Sequence, residues 1–248
     1  MRILPISQKN YTNFRANNRW VRNKEGIKLY KTTTYYFRDD LNWEELIKYL
    51  CEKYKDVPKV NFINHACSNG LEPLSFLMAL FVHAPECVKK FTPIIAKDID
   101  EQNILFAKQG YCGASSDDFL RINKLTKGSY KNFLSLKNSE NPEDLFEISP
   151  KNILKDNIIY EQGDIFDDIE KMPKENTFLC CRNFWMYLSP KKQEILAARL
   201  GRHFSSGSSV LLGYLDTTNA SAHRFLEVHG FKRCPVGTDY VNIMYSKV

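Results

Sequence analysis

No Cys-x-x-Cys pair occurs in this chain, although it carries seven cysteines. Cys51, Cys67, Cys87, Cys112, Cys180, Cys181 and Cys234 are scattered and odd in number, so neither a zinc ribbon nor a disulfide framework is indicated. The five histidines lack the His-Glu-x-x-His spacing of a metal site. Glycine is sparse, at 11 of 248 residues. With no Gly-x-Gly-x-x-Gly and no Gly-Lys-Ser/Thr ending, a pyrophosphate cradle is poorly supported. No uninterrupted apolar run approaches the roughly 20 residues of a membrane helix. The start, MRILPISQKNYTNF, is too polar for a secretory signal. The reading is a cytoplasmic protein with reduced thiols and no membrane insertion.

Apolar residues make up 43% of the chain and charged residues 26%, which excludes wholesale disorder. The length suits one sizeable α/β domain. The formal charge of +6 is unevenly spread. Residues 1–37 hold eight basic side chains (Arg2, Lys9, Arg15, Arg19, Arg22, Lys24, Lys28, Lys31) against Glu25 alone, leaving the remainder slightly acidic. Such an arm attracts an acidic partner, a protein surface or a nucleic acid, or simply keeps the chain solvated.

Apolar runs at 60–66, 92–98, 157–164, 176–183 and 208–215 read as strands, with helical patterns at 41–55, 74–84 and 101–109 between them. A further helix starts at Ser189 and Pro190, a cap and a first-turn residue. Residues 110–155 are less regular, and 230–235 with 239–247 look like a terminal hairpin around Gly237. Alternating strands and helices predict a parallel sheet covered on both faces.

Ligands on such sheets bind beyond the carboxyl ends of the strands. The first strand ends in Ala66-Cys67-Ser68-Asn69-Gly70-Leu71-Glu72-Pro73, where one glycine permits a tight turn. The second ends at Asp98 and Asp100, suited either to the two hydroxyls of a ribose or to helix capping. The third ends at Asp164-Ile165-Phe166, suited to an adenine or to an ordinary loop. The fourth ends in Cys181-Arg182-Asn183-Phe184-Trp185-Met186-Tyr187, polar and aromatic together, although Phe184 and Trp185 suit a core equally. A nucleoside without a pyrophosphate satisfies these ends, and S-adenosylmethionine is such a ligand.

Five blocks in order are similar to those of the CheR-type methyltransferases, which methylate glutamate side chains of chemotaxis receptors. TTTYYFRD at 32–39 resembles that family's Asn-Glu-Thr-x-Phe-Phe-Arg-Asp, and ACSNGLEPLS at 66–75 resembles Ala-x-Ser-x-Gly-x-Glu-Pro-Tyr-Ser. AKDIDEQNILFAKQGYCG at 96–113 looks like the Asp-Ile-Asp block and its helix. GDIFD at 163–167 looks like Asn-Leu-Leu-Asp, and CCRNFWMYLSPKKQ at 180–193 is similar to Cys-Arg-Asn-x-x-x-Tyr-Phe. Thr32, Thr33, Leu74 and Asp164 depart from the pattern, and Phe184 and Trp185 are bulkier than usual.

The resemblance implies a class I, Rossmann-like methyltransferase fold: a seven-stranded, mostly parallel sheet with helices on both faces and a C-terminal antiparallel hairpin. The implied organisation is a basic arm at 1–37, a methyltransferase domain at 38–248, and an irregular insertion at 113–155. The family's small β-subdomain would fall in that insertion, where no clear strands are visible.

By the same resemblance, Arg38 pairs with the methionine carboxylate and faces the methyl group. Ala66 and Glu72 hold the methionine moiety, Glu72 taking its ammonium, and Ser68 and Gly70 are further cofactor-binding candidates. Asp98 binds the ribose, Asp164 and Ile165 contact adenine, Asn183 holds the methionine end, and Tyr187 lines the transfer position. Arg38 and Tyr187 are the candidate catalytic residues. The implied cofactor is S-adenosylmethionine, its product is S-adenosylhomocysteine, and the implied partner is an acidic protein such as a chemoreceptor. Other readings are a methyltransferase acting on RNA or a small molecule, and a non-catalytic sensor of the cofactor. No metal is expected.

Overall fold

Strand and helix periods explain most of the chain, and they fail in two places, a small second sheet and a hairpin ahead of the main domain. The computed structural model describes residues 19–32, 34–139, 146–236 and 243–248. The basic arm before residue 19, Pro142, Gly237 and residues 239–242 of the expected last strand lie outside the described residues.

In chain order the strands are β1 (Arg19–Arg22), β2 (Lys28–Thr32), β3 (Asn61–His65), β4 (Ile94–Asp98), β5 (Cys112–Ala114), β6 (Leu134–Asn138), β7 (Phe146–Pro150), β8 (Ile158–Gln162), β9 (Thr177–Cys180), β10 (Ser209–Leu211), β11 (Phe231–Arg233) and β12 (Met244–Lys247). The helices are α1 (Trp43–Lys53), α2 (Leu71–His83), α3 (Val88–Phe91), α4 (Glu101–Gln109), α5 (Ser116–Leu125), α6 (Asn152–Lys155), α7 (Ile165–Asp168), α8 (Pro190–His203), α9 (Tyr214–Thr218) and α10 (Ala222–Val228).

Seven strands form the main sheet in the order β11-β12-β10-β9-β3-β4-β8. The five from β10 to β8 are parallel, and β12 runs antiparallel to both β10 and β11. The expected mostly parallel sheet is therefore present. The terminal hairpin is refined in one respect: its returning strand slots inward, between β10 and β11, rather than adding at the edge.

Alternate residues of the central strands feed two separate cores. Phe62, Phe178 and Cys180 pack with Trp43, Phe76 and Leu77 on the α1–α2 face. Ile63, Leu179 and Val210 pack with Trp185, Leu196 and Leu200 on the α8 face. Burial on both faces is why these strands read as continuous apolar runs.

Residues 112–150, expected to be irregular, instead hold a three-stranded antiparallel sheet, β5-β7-β6, and the capped helix α5. The strands are short, and β6 buries only Leu134. A strand with one buried residue has no alternation to read. The second difference is a β1–β2 hairpin where no strand was expected. Its turn is closed by Gly26 N donating to Asn23 O at 2.9 Å, with Gly26 at φ 77°. Among the described residues no helix is long and apolar enough to cross a membrane.

The segment leading into α1 is anchored by Trp43, which is 2% exposed. Its ring meets Phe37 and Phe76 edge-on, and its indole N–H donates to Arg38 O at 3.1 Å. Trp43→Phe retains an aromatic filler but removes that hydrogen bond. Urea denaturation should show a loss of about 1–2 kcal/mol with an unchanged slope.

Candidate functional site

The groove forms where the chain leaves β3, β4, β8 and β9. Each exit carries a feature that the strand itself could not. After β3, Ala66 and Ser68 take φ of 63° and 53°, turning the backbone sharply before α2 begins at Leu71. Gly70 caps α2 with φ 87°, and a Cβ there would sit 2.7 Å from Tyr160 Oη. Here the missing side chain makes room for a neighbouring tyrosine. Asn183, after β9, has φ 56°, and Phe37, beside Arg38, has φ 47°. Non-glycine residues in this region store strain that their surroundings must hold.

Two adjoining cavities result. The first, about 310 Å³, is lined by Arg38, Ala66, Ser68, Glu72, Asp98, Asn183 and Tyr187. The second, about 340 Å³, is lined by Ala66, Asp164, Ile165 and Tyr187. The sequence-derived candidates are thus brought together in one groove, except Gly70, which lines neither cavity and shapes the turn instead.

Asp98 is buried at the end of β4. Its Oδ2 accepts from Ser68 N at 2.8 Å, and its Oδ1 accepts from Asp100 N at 3.0 Å and Asn103 Nδ2 at 3.1 Å. Burial raises its pKa against the pull of these donors. Asp100 plays the capping part: its Oδ1 accepts from Gln102 N at 2.9 Å. Asp164 likewise caps α7, accepting from Phe166 N at 2.9 Å. Both the capping and the ligand readings of these acids are therefore physically compatible, because a carboxylate has several lone pairs.

The charged centre of the first cavity is Arg182. Its side chain is fully buried, donating from Nη1 to Glu72 Oε2 at 2.6 Å and from Nη2 to Asp40 Oδ1 at 2.5 Å. Burial opposes the charge, but Asp40 and Glu72 outweigh it and raise the Arg182 pKa. Glu72 Oε1 also accepts from Asn64 Nδ2 at 2.9 Å. Arg182 was quoted in a motif but given no role. The signal was there: a single cation ending an apolar strand.

The turn carrying Asn183 hangs on Asp216. That buried carboxylate accepts from the backbone N–H of Asn183 at 2.5 Å, Trp185 at 2.9 Å and Gly213 at 2.9 Å. Burial pushes its carboxyl up to about 7. Asn183 Nδ2 is buried with no protein partner among the described residues. An orphaned donor facing a cavity suits an acceptor atom on a ligand. Trp185 is wholly buried, whereas Phe184 lines both cavities. Cys180 and Cys181 are buried, and burial raises both thiols, as expected of structural cysteines.

Below the second cavity, His65 Nε2 lies 3.2 Å from Asp168 Oδ2, which also meets Lys97 Nζ at 3.3 Å. His65 is thus a hydrogen-bonded, packed side chain. Among the described residues no cluster could hold a metal ion.

Burial acts to raise the Asp168 carboxyl, but His65 and Lys97 prevail and hold it at about 2, below the ordinary 3.8. A depressed carboxyl stabilises the fold above its unfolded value and loses that effect as pH falls toward the folded one. Asp168→Asn should therefore flatten the acid limb of a melting-temperature profile between about pH 4 and 2. Asp216→Asn trades an acceptor for a donor facing backbone N–H groups. Calorimetry should show S-adenosylhomocysteine affinity falling by about tenfold or more, at the energy of one lost charged hydrogen bond.

Residues 32–233 match the family model described as CheR methyltransferase, SAM binding domain. The chain is 24% identical over 191 residues to a chemotaxis protein methyltransferase of Borreliella burgdorferi, covering 74% of this chain and 64% of that protein. It is 22% identical over 212 residues to chemotaxis protein methyltransferase 2 of Vibrio cholerae, covering 84% of this chain and 68% of that one. The chain thus spans about two thirds of the length of these relatives. Among solved structures, magnesium protoporphyrin IX methyltransferase from Synechocystis with bound SAM aligns with a TM-score of 0.42 and 8% identity, over 83% of this chain and 78% of that one. On the extent of the family match, the chain belongs to the CheR methyltransferase family, with S-adenosylmethionine as its cofactor.

Proposed function

We propose that this protein transfers a methyl group from S-adenosylmethionine to a glutamate carboxylate on an acidic protein, in the manner its chemotaxis relatives' names suggest. The observation that carries this reading is the charge pattern of the first cavity, with Arg38 and Arg182 set against Glu72 and Asp98. A zwitterionic ligand end needs both signs within one small volume.

In this reading Arg38 binds the methionine carboxylate and Glu72, held in place by Arg182, binds the ammonium. Ala66, Ser68 and Asn183 complete the methionine end. Asp98 takes the ribose hydroxyls, and Asp164 with Ile165 takes the adenine. The bound cofactor supplies a methyl group already activated on sulfonium sulfur. Tyr187, half-exposed and kept neutral by a pKa that burial raises, lines the path of the incoming oxygen.

A glutamate side chain is ionised at neutral pH, so the protein need not remove a proton to create the nucleophile. Its task is alignment and exclusion of water, effects that supply about 7–11 kcal/mol in oriented systems.

With tritiated cofactor and a lysate of the source cell, label should enter a protein and be released by mild base as methanol. Base-stable label, or label in RNA, would overturn the carboxyl assignment. Arg38→Ala should reduce transfer by at least about 100-fold, because a buried charged contact to the ligand is lost. Unchanged transfer would remove Arg38 from the site.

A further inference from the structure

The β1–β2 hairpin lies across the cofactor groove. Val21 and Tyr30 line the first cavity, and Leu29 and Tyr30 line the second. The Tyr30 ring lies flat on Tyr187, with centroids 4.1 Å apart and planes 3° from parallel. Tyr30, Ala66, Phe184 and Tyr187 are walls of both cavities. The stacked pair therefore stands at their junction, between Glu72 at one end and Asp164 at the other. A ligand that engages both ends lies against this pair and cannot pass it while the rings are stacked.

The hairpin is well closed within itself. Arg22 Nη1 donates to Gly26 O at 2.7 Å, and Ile27 N donates to Asn23 Oδ1 at 2.8 Å. Its polar ties to the body are lighter. Arg22 N donates to Asp100 Oδ2 at 3.0 Å, and Lys24 Nζ pairs with Asp167 Oδ2 at 2.7 Å. The two side chains of that ion pair are 48% and 57% exposed, so water and salt screen it. A unit closed internally, and held outside by an exposed ion pair, a part-buried backbone hydrogen bond, the buried Val21 and the Tyr30 stack, moves as one piece when these contacts part.

We propose that the β1–β2 hairpin is a strap over the cofactor groove, latched by Tyr30 on Tyr187, and that it lifts for the cofactor to enter and leave. The proposal rests on S-adenosylmethionine occupying this groove. The basic arm then has a role within the molecule: Lys24 engages the chain's own acid at the mouth of the site.

The test is stopped-flow release of S-adenosylhomocysteine from the full chain, chased with excess S-adenosylmethionine. Tyr30→Ala should speed release by about tenfold or more, since interface losses fall mainly on the dissociation rate. Tyr30→Phe, which keeps the stack, should release at the wild-type rate. Lys24→Glu should also speed release, the swapped pair Lys24→Glu with Asp167→Lys should restore it, and added salt should speed release in the wild type and the swapped pair but not in Lys24→Glu. Unchanged or slower release in Tyr30→Ala would overturn the strap while leaving the cofactor site intact. If Tyr30→Ala does not fold, the surface variant Lys24→Glu decides by the same readout. Failure of the wild type to bind S-adenosylhomocysteine would overturn the groove assignment, and the strap with it.

Discussion

The guanidinium of Arg182 joins segments far apart in sequence. It meets Asp40, just before α1, and Glu72, in the first turn of α2, from its own place at the end of β9. Asp40 also accepts from Tyr214 N at 3.3 Å, which draws in the start of α9. Both terminal nitrogens of the guanidinium are paired while its buried Nε has no partner among the described residues, and losing one member of such a set typically costs about 3–5 kcal/mol. Pairing brings the Asp40 carboxyl below its ordinary value, despite burial acting the other way. The network places Glu72 in the wall of the first cavity, with Arg182 facing its Oε2. A cationic ligand group then completes the balance.

Around this centre the backbone is held in unusual shapes. Phe37, Ala66, Ser68 and Asn183 all have positive φ, and all sit on or beside the groove. Three of them have a visible restraint. Phe37 N donates to Ser75 Oγ at 2.9 Å, Ser68 N donates to Asp98, and Asn183 N donates to Asp216. The acids that hold these turns, Asp98 and Asp216, are buried and carry raised pKa values. Rigid positioning of the lining residues is thus obtained from carboxylates bonded to main-chain N–H groups, which do not rotate as side chains would.

What was legible in the sequence follows from this physics. β3, β9 and β10 were readable because burial on both faces makes apolar runs, and β4 and β8 fall where the other two runs lie. Asp98, Asp164 and Asn183 were readable because strand ends are where a parallel sheet presents polar groups. The small sheet was not readable. Leu134–Asn138 has one buried residue, and Cys112–Ala114 is three residues long with its partner, Phe146–Pro150, beyond α5. The hairpin was hidden for a related reason: Trp20, Ile27 and Leu29 face outward while Val21 is buried, so its apolar residues do not mark one covered face. Tyr30 escaped notice because nothing local distinguishes a tyrosine that packs against Tyr187, 157 positions later, from any other in a polar segment.

The inward position of β12 sets an order on assembly during synthesis. β11 pairs with β12 and not with β10, so it has no place in the main sheet until Met244–Lys247 exist to bridge them. Until then the outer edge of β10 is an open row of backbone donors and acceptors, the kind of edge that recruits foreign strands. The nascent protein therefore completes its groove-forming strands β3, β4, β8 and β9 first. Synthesis of Met244–Lys247, rather than assembly of the groove, is the step that covers that edge of β10.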